Sequence, residues 1–169
     1  MNKLFPKNIM EHFKRPRNIG KIKNPDGVGK VGNFVCGDII WLYVKIKKSK
    51  KDKEPKITDV KFQTLGCTVA IAVSSIVTTL AKGKTIPEAL KINKDSILKM
   101  SGNVPKNKIH CSFLADDALH EAIYDYLQKN KMAIPRELQK RHERIKRELE
   151  NTEEDHREYV DLEKKVFGE

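Results

Sequence analysis

Apolar and polar positions alternate along the first half of the chain in ways that name its elements. Ile9, Met10 and Phe13 fall on one side of a short helix over residues 6–14. Pro16 ends it, because the residue before a proline avoids the α region. A Gly-, Asn- and Pro-rich loop follows from Asn18 to Gly32, and a short strand is expected over Gly29–Asn33. Ile39–Lys47 is β-branched and aromatic almost throughout, the composition of a strand. In Ile57–Gln63, a second strand, Ile57, Asp59 and Lys61 alternate with Thr58, Val60 and Phe62, which predicts one wet face. The Lys-rich stretch 48–56 between them reads as the solvated turn of a hairpin.

The period then changes. Thr68–Lys82 is nearly uncharged, apolar on most sides, and stops at Gly83; a helix of that kind belongs in a core. Thr85-Ile-Pro-Glu88 has the form of a capping box opening a small helix through Leu90. Another short helix is expected over Asp95–Met100, and a loop with Gly102 and Pro105 leads to a longer helix, Cys111–Lys129. Its core side is Leu114, Ala118, Ala122, Tyr126 and Leu127. Pro135 begins a last segment, 136–166, that is more than half charged. Leu138, Ile145, Tyr159 and Val166 recur there seven or fourteen apart, with His142 and His156 interrupting any coiled-coil seam. The segment reads as a helical extension, docked weakly or exposed.

The predicted fold class is therefore α+β. A small three-stranded antiparallel sheet packs helices on one face, and a C-terminal helical extension is added. Residues 1–130 form the main domain and 131–169 the charged extension. The chain's 169 residues suit that plan, and 38% apolar residues allow a modest core, while 34% charged residues point to a segment that is all surface. Charge is unevenly spread. Residues 1–130 hold 24 Lys/Arg against 12 Asp/Glu, and residues 131–169 hold 10 against 11. A positive field favours acidic partners, nucleic acid or anionic membranes without choosing among them. No recognisable nucleic-acid motif is present, so nucleic acid is not an expected partner. No apolar run approaches the roughly 18 residues of a membrane span, and Met-Asn-Lys-Leu-Phe-Pro has no apolar signal region. A cytoplasmic location is expected, with no membrane partner.

Three cysteines cannot pair off into a disulfide framework, and in a reducing compartment they are free thiols or metal ligands. Their positions favour ligands. Cys36 lies at the turn entering a strand, Cys67 where a strand hands over to the buried helix, and His110-Cys111 where a loop hands over to the long helix. A helix N-terminus carries roughly half a positive charge and stabilises a thiolate. Lys108 is close in sequence to Cys111 and would depress its pKa further. Gly37 and Gly66 flank the ligands and permit close backbone approach. With Asp38, the set of Cys, His and Asp donors suits Zn(II) and Fe(II), and several thiolates suit iron–sulfur chemistry. Among the remaining histidines, His12, His120, His142 and His156 read as solvated or capping, and Asp116 and Asp117 as partners of a helix dipole.

From about Phe5 to Tyr126 the chain resembles the IscU/NifU-type iron–sulfur cluster assembly scaffold proteins. The resemblance is carried by Arg-Pro-Arg-Asn-Ile-Gly (15–20), Cys-Gly-Asp (36–38), Gly-Cys-Thr-Val-Ala-Ile-Ala (66–72), Lys-Gly-Lys-Thr (82–85), Glu-Ala-Leu (88–90) and His-Cys-Ser-Phe-Leu-Ala-Asp-Asp-Ala (110–118), in matching order and spacing. It implies a ligand set of Cys36, Asp38, Cys67, His110 and Cys111 for iron and for a transient [2Fe–2S] cluster, with zinc as a possible occupant on isolation. It implies a scaffold and carrier rather than a turnover enzyme. Sulfur would arrive as a persulfide from a cysteine desulfurase, with Cys111 the acceptor, an exposed low-pKa thiolate, and Lys108 its stabiliser. Asp38 would be the weak, exchangeable ligand. Apo iron–sulfur proteins would receive the cluster, and an iron donor and a second copy of the chain are further partners consistent with it.

The chain also departs from the family. Many relatives carry Leu-Pro-Pro-Val-Lys, an Hsp70-type chaperone site, before the His-Cys pair. Here only Pro105 and Lys108 of Val104-Pro-Lys-Asn-Lys108 survive, so chaperone-assisted transfer is not expected. Thr68 stands where relatives commonly have glycine, and Phe5 where many have tyrosine. The alternative function is a zinc-bound sulfur relay for a desulfurase. Relatives of that kind carry an insertion between the second and third cysteines, and the 44-residue gap here is short for it.

Overall fold

Three strands pair in the simplest order. β1 (Gly27–Asn33), β2 (Asp38–Lys47) and β3 (Lys56–Leu65) form one antiparallel sheet, β1-β2-β3, in the computed structural model. The model describes residues 4–33, 37–155, 161 and 164–165. Cys36, His156, Tyr159 and Val166 lie outside the described residues.

One face of the sheet is the core. Val31, Ile40, Leu42, Val44, Ile46, Ile57 and Val60 are all buried on it. Ile57 was expected on the opposite face from Val60. The register explains the difference. Lys45 faces Asp59, but Ile46 faces Ile57, so Thr58 is one residue too many. This bulge shifts the side-chain period by one position and turns Ile57 inward. Thr58 closes the irregularity by donating its hydroxyl to the Lys45 carbonyl at 3.2 Å.

Helices cover that face. Six α-helices are described: α1 (Lys7–Lys14), α2 (Thr68–Ala81), α3 (Ile86–Ala89), α4 (Lys94–Ser101), α5 (Ile109–Lys129) and α6 (Arg136–Asp155). α2 is buried along nearly its whole length, as its uncharged sequence predicts. Its few polar side chains hold the N-terminal segment. Ser75 Oγ lies 2.8 Å from His12 Nδ1 and accepts the Arg17 amide at 2.8 Å, and Thr78 Oγ1 accepts from Asn18 Nδ2 at 3.1 Å. His12 is thus a buried structural histidine, not a solvated one. α5 lies against β1 so closely that a Cβ on Gly27 or Gly29 would collide with the carbonyls of Ala122 and Ala118. Glycine lets helix and strand backbones touch there. The capping box forms as expected: Glu88 N–H donates to Thr85 Oγ1 at 3.3 Å and Thr85 N–H to Glu88 Oε2 at 2.8 Å.

α6 docks firmly on α5. Leu138 and Ile145 are buried. Arg144 Nη2 donates to both oxygens of Asp117 at 2.8 and 3.0 Å, and Arg141 Nη1 reaches Asp117 at 3.3 Å. His142 Nδ1 lies 3.0 Å from a Glu121 carboxylate oxygen, and its ring stacks on Tyr124 with centroids 3.8 Å apart. His120 is buried between the carbonyls of Asp116 (2.9 Å) and Leu90 (3.2 Å). The expectation of a weakly docked extension, with solvated His120 and His142, is corrected by these contacts. Asp116 and Asp117 likewise serve α6. α5 opens at Ile109, which puts both carboxylates beyond the first turn where the dipole acts. Among the described residues no helix is long and apolar enough to cross a membrane.

Candidate metal centre

One end of the sheet gathers three chain segments. β2 begins at Asp38, directly after Gly37, whose φ of +70° favours glycine. β3 ends at Leu65, and Gly66 and Cys67 carry the chain into α2 with Cys67 as its N-cap residue. A 3-10 turn, Lys106–Lys108, leads into α5, placing His110 and Cys111 in its first turn.

The donor atoms converge. Cys67 Sγ and Cys111 Sγ are 3.8 Å apart. Cys111 donates its thiol to Asp38 Oδ2 at 3.3 Å, and Cys67 Sγ lies 3.8 Å from the same oxygen. The other oxygen, Oδ1, accepts the Cys67 amide at 3.1 Å. One ring nitrogen of His110, a carboxylate oxygen of Asp38 and Cys111 Sγ lie within 4.8 Å of one another. Four of the five expected ligands are therefore neighbours, although 29 residues separate Asp38 from Cys67 and 44 separate Cys67 from Cys111. The fifth, Cys36, lies outside the described residues. Lys108 is the half-buried N-cap residue of α5; its ammonium makes no hydrogen bond or ion pair with the described residues.

Burial divides the two sulfurs. Cys111 is 0% exposed, where the sequence suggested an exposed thiolate. The one Cys111 thiol proton is shared between Asp38 Oδ2 and Cys67 Sγ, and its bond to Cys67 holds the Cys67 pKa down, at about 6. The amides of Ala70 and Val69 at the open end of α2 pull the same way, against burial and the Asp38 charge. They do so short of a capping hydrogen bond. Cys111 is pushed strongly up, first by its bond to Cys67 and then by burial. The two sulfurs thus titrate as a coupled pair in which Cys67 favours the thiolate and Cys111 the thiol.

This donor set fits a soft or borderline metal. Among the described residues His110 Nε2 is buried with no hydrogen-bond partner, and an orphaned ring nitrogen on a histidine grouped with a thiol and a carboxylate fits a metal ligand. Beside His110 a cleft of about 640 Å³ opens. Asn33, Lys94, Phe113, Arg141 and Arg144 are among its walls. Sequence reasoning did not find these walls. Arg141 and Arg144, one helical turn apart, were the available signal for a face opposite Asp116 and Asp117.

The chain is similar to known proteins along most of its length. The family model described as the NifU-like N-terminal domain matches residues 4–133. A protein of Archaeoglobus fulgidus named iron–sulfur cluster assembly scaffold protein IscU 1 is 47% identical over 163 residues, covering 94% of this chain and 99% of that protein. The iron–sulfur cluster assembly scaffold protein IscU of Aquifex aeolicus is 41% identical, over 74% of this chain and 77% of its own. Among solved structures, a SUF-system protein of Fervidobacterium islandicum, assigned there as an iron–sulfur cluster assembly scaffold, aligns with a TM-score of 0.57 at 27% identity. That match covers 71% of this chain and 96% of the other.

Proposed function

Since this chain belongs to the NifU-like N-terminal domain family, we propose that it is an iron–sulfur cluster assembly scaffold whose cluster is built at Asp38, Cys67, His110 and Cys111. The convergence of those four side chains from three distant segments carries the proposal. Cys36, two positions before Asp38 in the sequence, is the remaining ligand. The relatives are named scaffolds, which sets the zinc-relay alternative aside. Zinc nonetheless suits the same donors and competes for them.

Sulfur and iron are the cargo, a [2Fe–2S] cluster the product. A cysteine desulfurase presents a persulfide, and Cys111 accepts its terminal sulfur. Cys111 must first lose its proton; opening the site to water relieves the burial that holds its pKa up, and the Cys67 thiolate 3.8 Å away is the neighbouring acceptor. Cys111 Sγ then attacks the terminal sulfur, the donor's S–S bond breaks, and the donor leaves as a thiolate. Burial of Cys111 means that donor docking must open the site. Lys108, at the entry to α5 and three residues before Cys111, is the cation placed to steady the developing thiolate. An external reductant supplies the electrons that turn sulfane sulfur into sulfide. Asp38 binds iron more labilely than a thiolate does, so the finished cluster is released to apo iron–sulfur proteins. The excess of positive charge on residues 1–130 matches an acidic desulfurase surface.

Anaerobic reconstitution with iron, cysteine and a desulfurase tests the reading. Visible charge-transfer bands should appear on the parent, be lost in Cys67→Ser and Cys111→Ser, and pass to an apo ferredoxin on mixing. A parent that stays colourless, or variants that colour like the parent, would sink it.

A further inference from the structure

Asp38 is held in an unusual way for an exchangeable ligand. It is 2% exposed, and its two oxygens do different things. Oδ1 accepts the Cys67 amide at 3.1 Å. Oδ2 faces the sulfurs, 3.3 Å from Cys111 and 3.8 Å from Cys67. A carboxylate free to turn offers a metal either oxygen or both. One tied by an amide offers the oxygen that is left.

The space for that arrangement is made by Gly66. Its φ is not in the left-handed region, so backbone freedom does not explain the glycine. Room does. A Cβ there would stand 3.0 Å from Asp38 Oδ1, 3.2 Å from Asp38 Cγ and 2.8 Å from the Ala70 Cβ. An alanine methyl would meet the Ala70 Cβ first and, of the carboxylate, the anchored oxygen before the rest.

We propose that Gly66 is a positioning residue for the cluster: by leaving room for Asp38 Oδ1 on the Cys67 amide, it limits Asp38 to one-oxygen ligation through Oδ2 and so sets how readily the cluster leaves. The inference rests on the scaffold function proposed above. A methyl at position 66 crowds Oδ1 by a few tenths of an ångström, which stretches its bond to the Cys67 amide and draws the carboxylate back from the sulfurs. Gly66→Ala should then behave as a weakened copy of Asp38→Ala and lengthen the life of the bound cluster. A charge-assisted hydrogen bond is worth about a factor of ten, so the expected gain is about tenfold.

Cluster decay is followed by visible circular dichroism under a chelator, without oxygen, in four proteins: parent, Gly66→Ala, Asp38→Ala and the double variant. The two single changes should each lengthen the lifetime, and the double should gain nothing beyond Asp38→Ala, because both act through one carboxylate. Gly66→Ala/Ala70→Gly removes the 2.8 Å contact with α2 and should keep the gain. A second readout needs no cluster. In the empty protein the Cys67 amide proton resonance should shift upfield in Gly66→Ala as it does in Asp38→Ala. The inference is overturned by an unchanged lifetime in Gly66→Ala, by effects that add in the double variant, by loss of the gain with Ala70→Gly, or by an unmoved amide. A parent that takes up no cluster defeats the scaffold reading instead, and the amide resonance then decides the Gly66 claim alone.

Discussion

Removing Cys111 should return Cys67 to an ordinary thiol. Cys67 sits at about 6 chiefly because the Cys111 thiol donates to it. At pH 7 a thiol of that pKa is about nine-tenths thiolate. In Cys111→Ala the donor is gone, and what remains opposes itself: burial and the Asp38 carboxylate push up, the Ala70 and Val69 amides pull down. The pKa should rise to about 8 or above, near the free-thiol value, leaving about a tenth as thiolate at pH 7. A rate at one pH would hide this. Intrinsic nucleophilicity grows with pKa by a Brønsted slope of about 0.4–0.5, so a two-unit rise strengthens the thiolate nearly as much as it depletes it. The full pH profile of iodoacetamide alkylation is therefore the assay, in a Cys36→Ser background with the modified residue identified by mass spectrometry. The midpoint for Cys67 should move from about 6 to about 8 or higher. In the converse variant, Cys67→Ala, Cys111 should stay above the usual thiol range, held there by burial and Asp38. A Cys67 midpoint still near 6 without Cys111 would show that the amides of α2 suffice, and would refute the shared-proton account.

His12 is held below its ordinary value by burial and by Arg17. It therefore contributes stability above pH ~6.5 that is lost as pH falls toward its folded pKa; urea midpoints should fall between pH 7.5 and 5.5, and less so in His12→Gln. Asp117 and Glu121 are raised by burial, which has the opposite sign. The folded state takes up their protons first, so their contribution grows as pH falls through the folded pKa values toward ~4. Asp117→Asn should flatten that gain and cost about 1–2 kcal/mol at neutral pH through the lost Arg144 pair, read from the same urea midpoints; an unchanged midpoint would mean that α6 does not lean on this pair. Gly29→Ala should cost about 3 kcal/mol or more by forcing β1 off α5, seen as a large drop in thermal midpoint.

Much of this molecule could be read from its residues, and the exceptions have common causes. The strands, the buried α2, the capping box and the meeting of Asp38, Cys67, His110 and Cys111 were all legible, because period, composition and motif act locally or were matched as a set. The face of Ile57 was not. It depends on a bulge at Thr58, set by how two strands pair rather than by either strand's pattern. The start of α5 was placed two residues late. Lys108 makes no capping hydrogen bond, so the sequence carries no start signal there. The docking of α6 was underestimated because its interface is mostly charged. Charged positions read as solvent until a partner of opposite sign is placed across from them, as Asp117 is for Arg144. The burial of Cys111, which decides which sulfur holds the proton, is likewise a property of the packed whole.

On the proposed function, that proton opposes loading of the site. In the empty protein the oxygen of Asp38 that faces the sulfurs receives the Cys111 thiol, so the lone pairs prepared for a metal already have an occupant. Loading must displace it, and a ligating thiol must lose its proton. With Cys111 raised well above an ordinary thiol, each further unit adds about 1.4 kcal/mol to that step at fixed pH. The same amount favours unloading, since a departing cluster hands Cys111 back a proton it binds tightly and Asp38 back a donor. If the cluster is built here as proposed, burying one sulfur beside a carboxylate and a second sulfur makes reprotonation part of the driving force for its release.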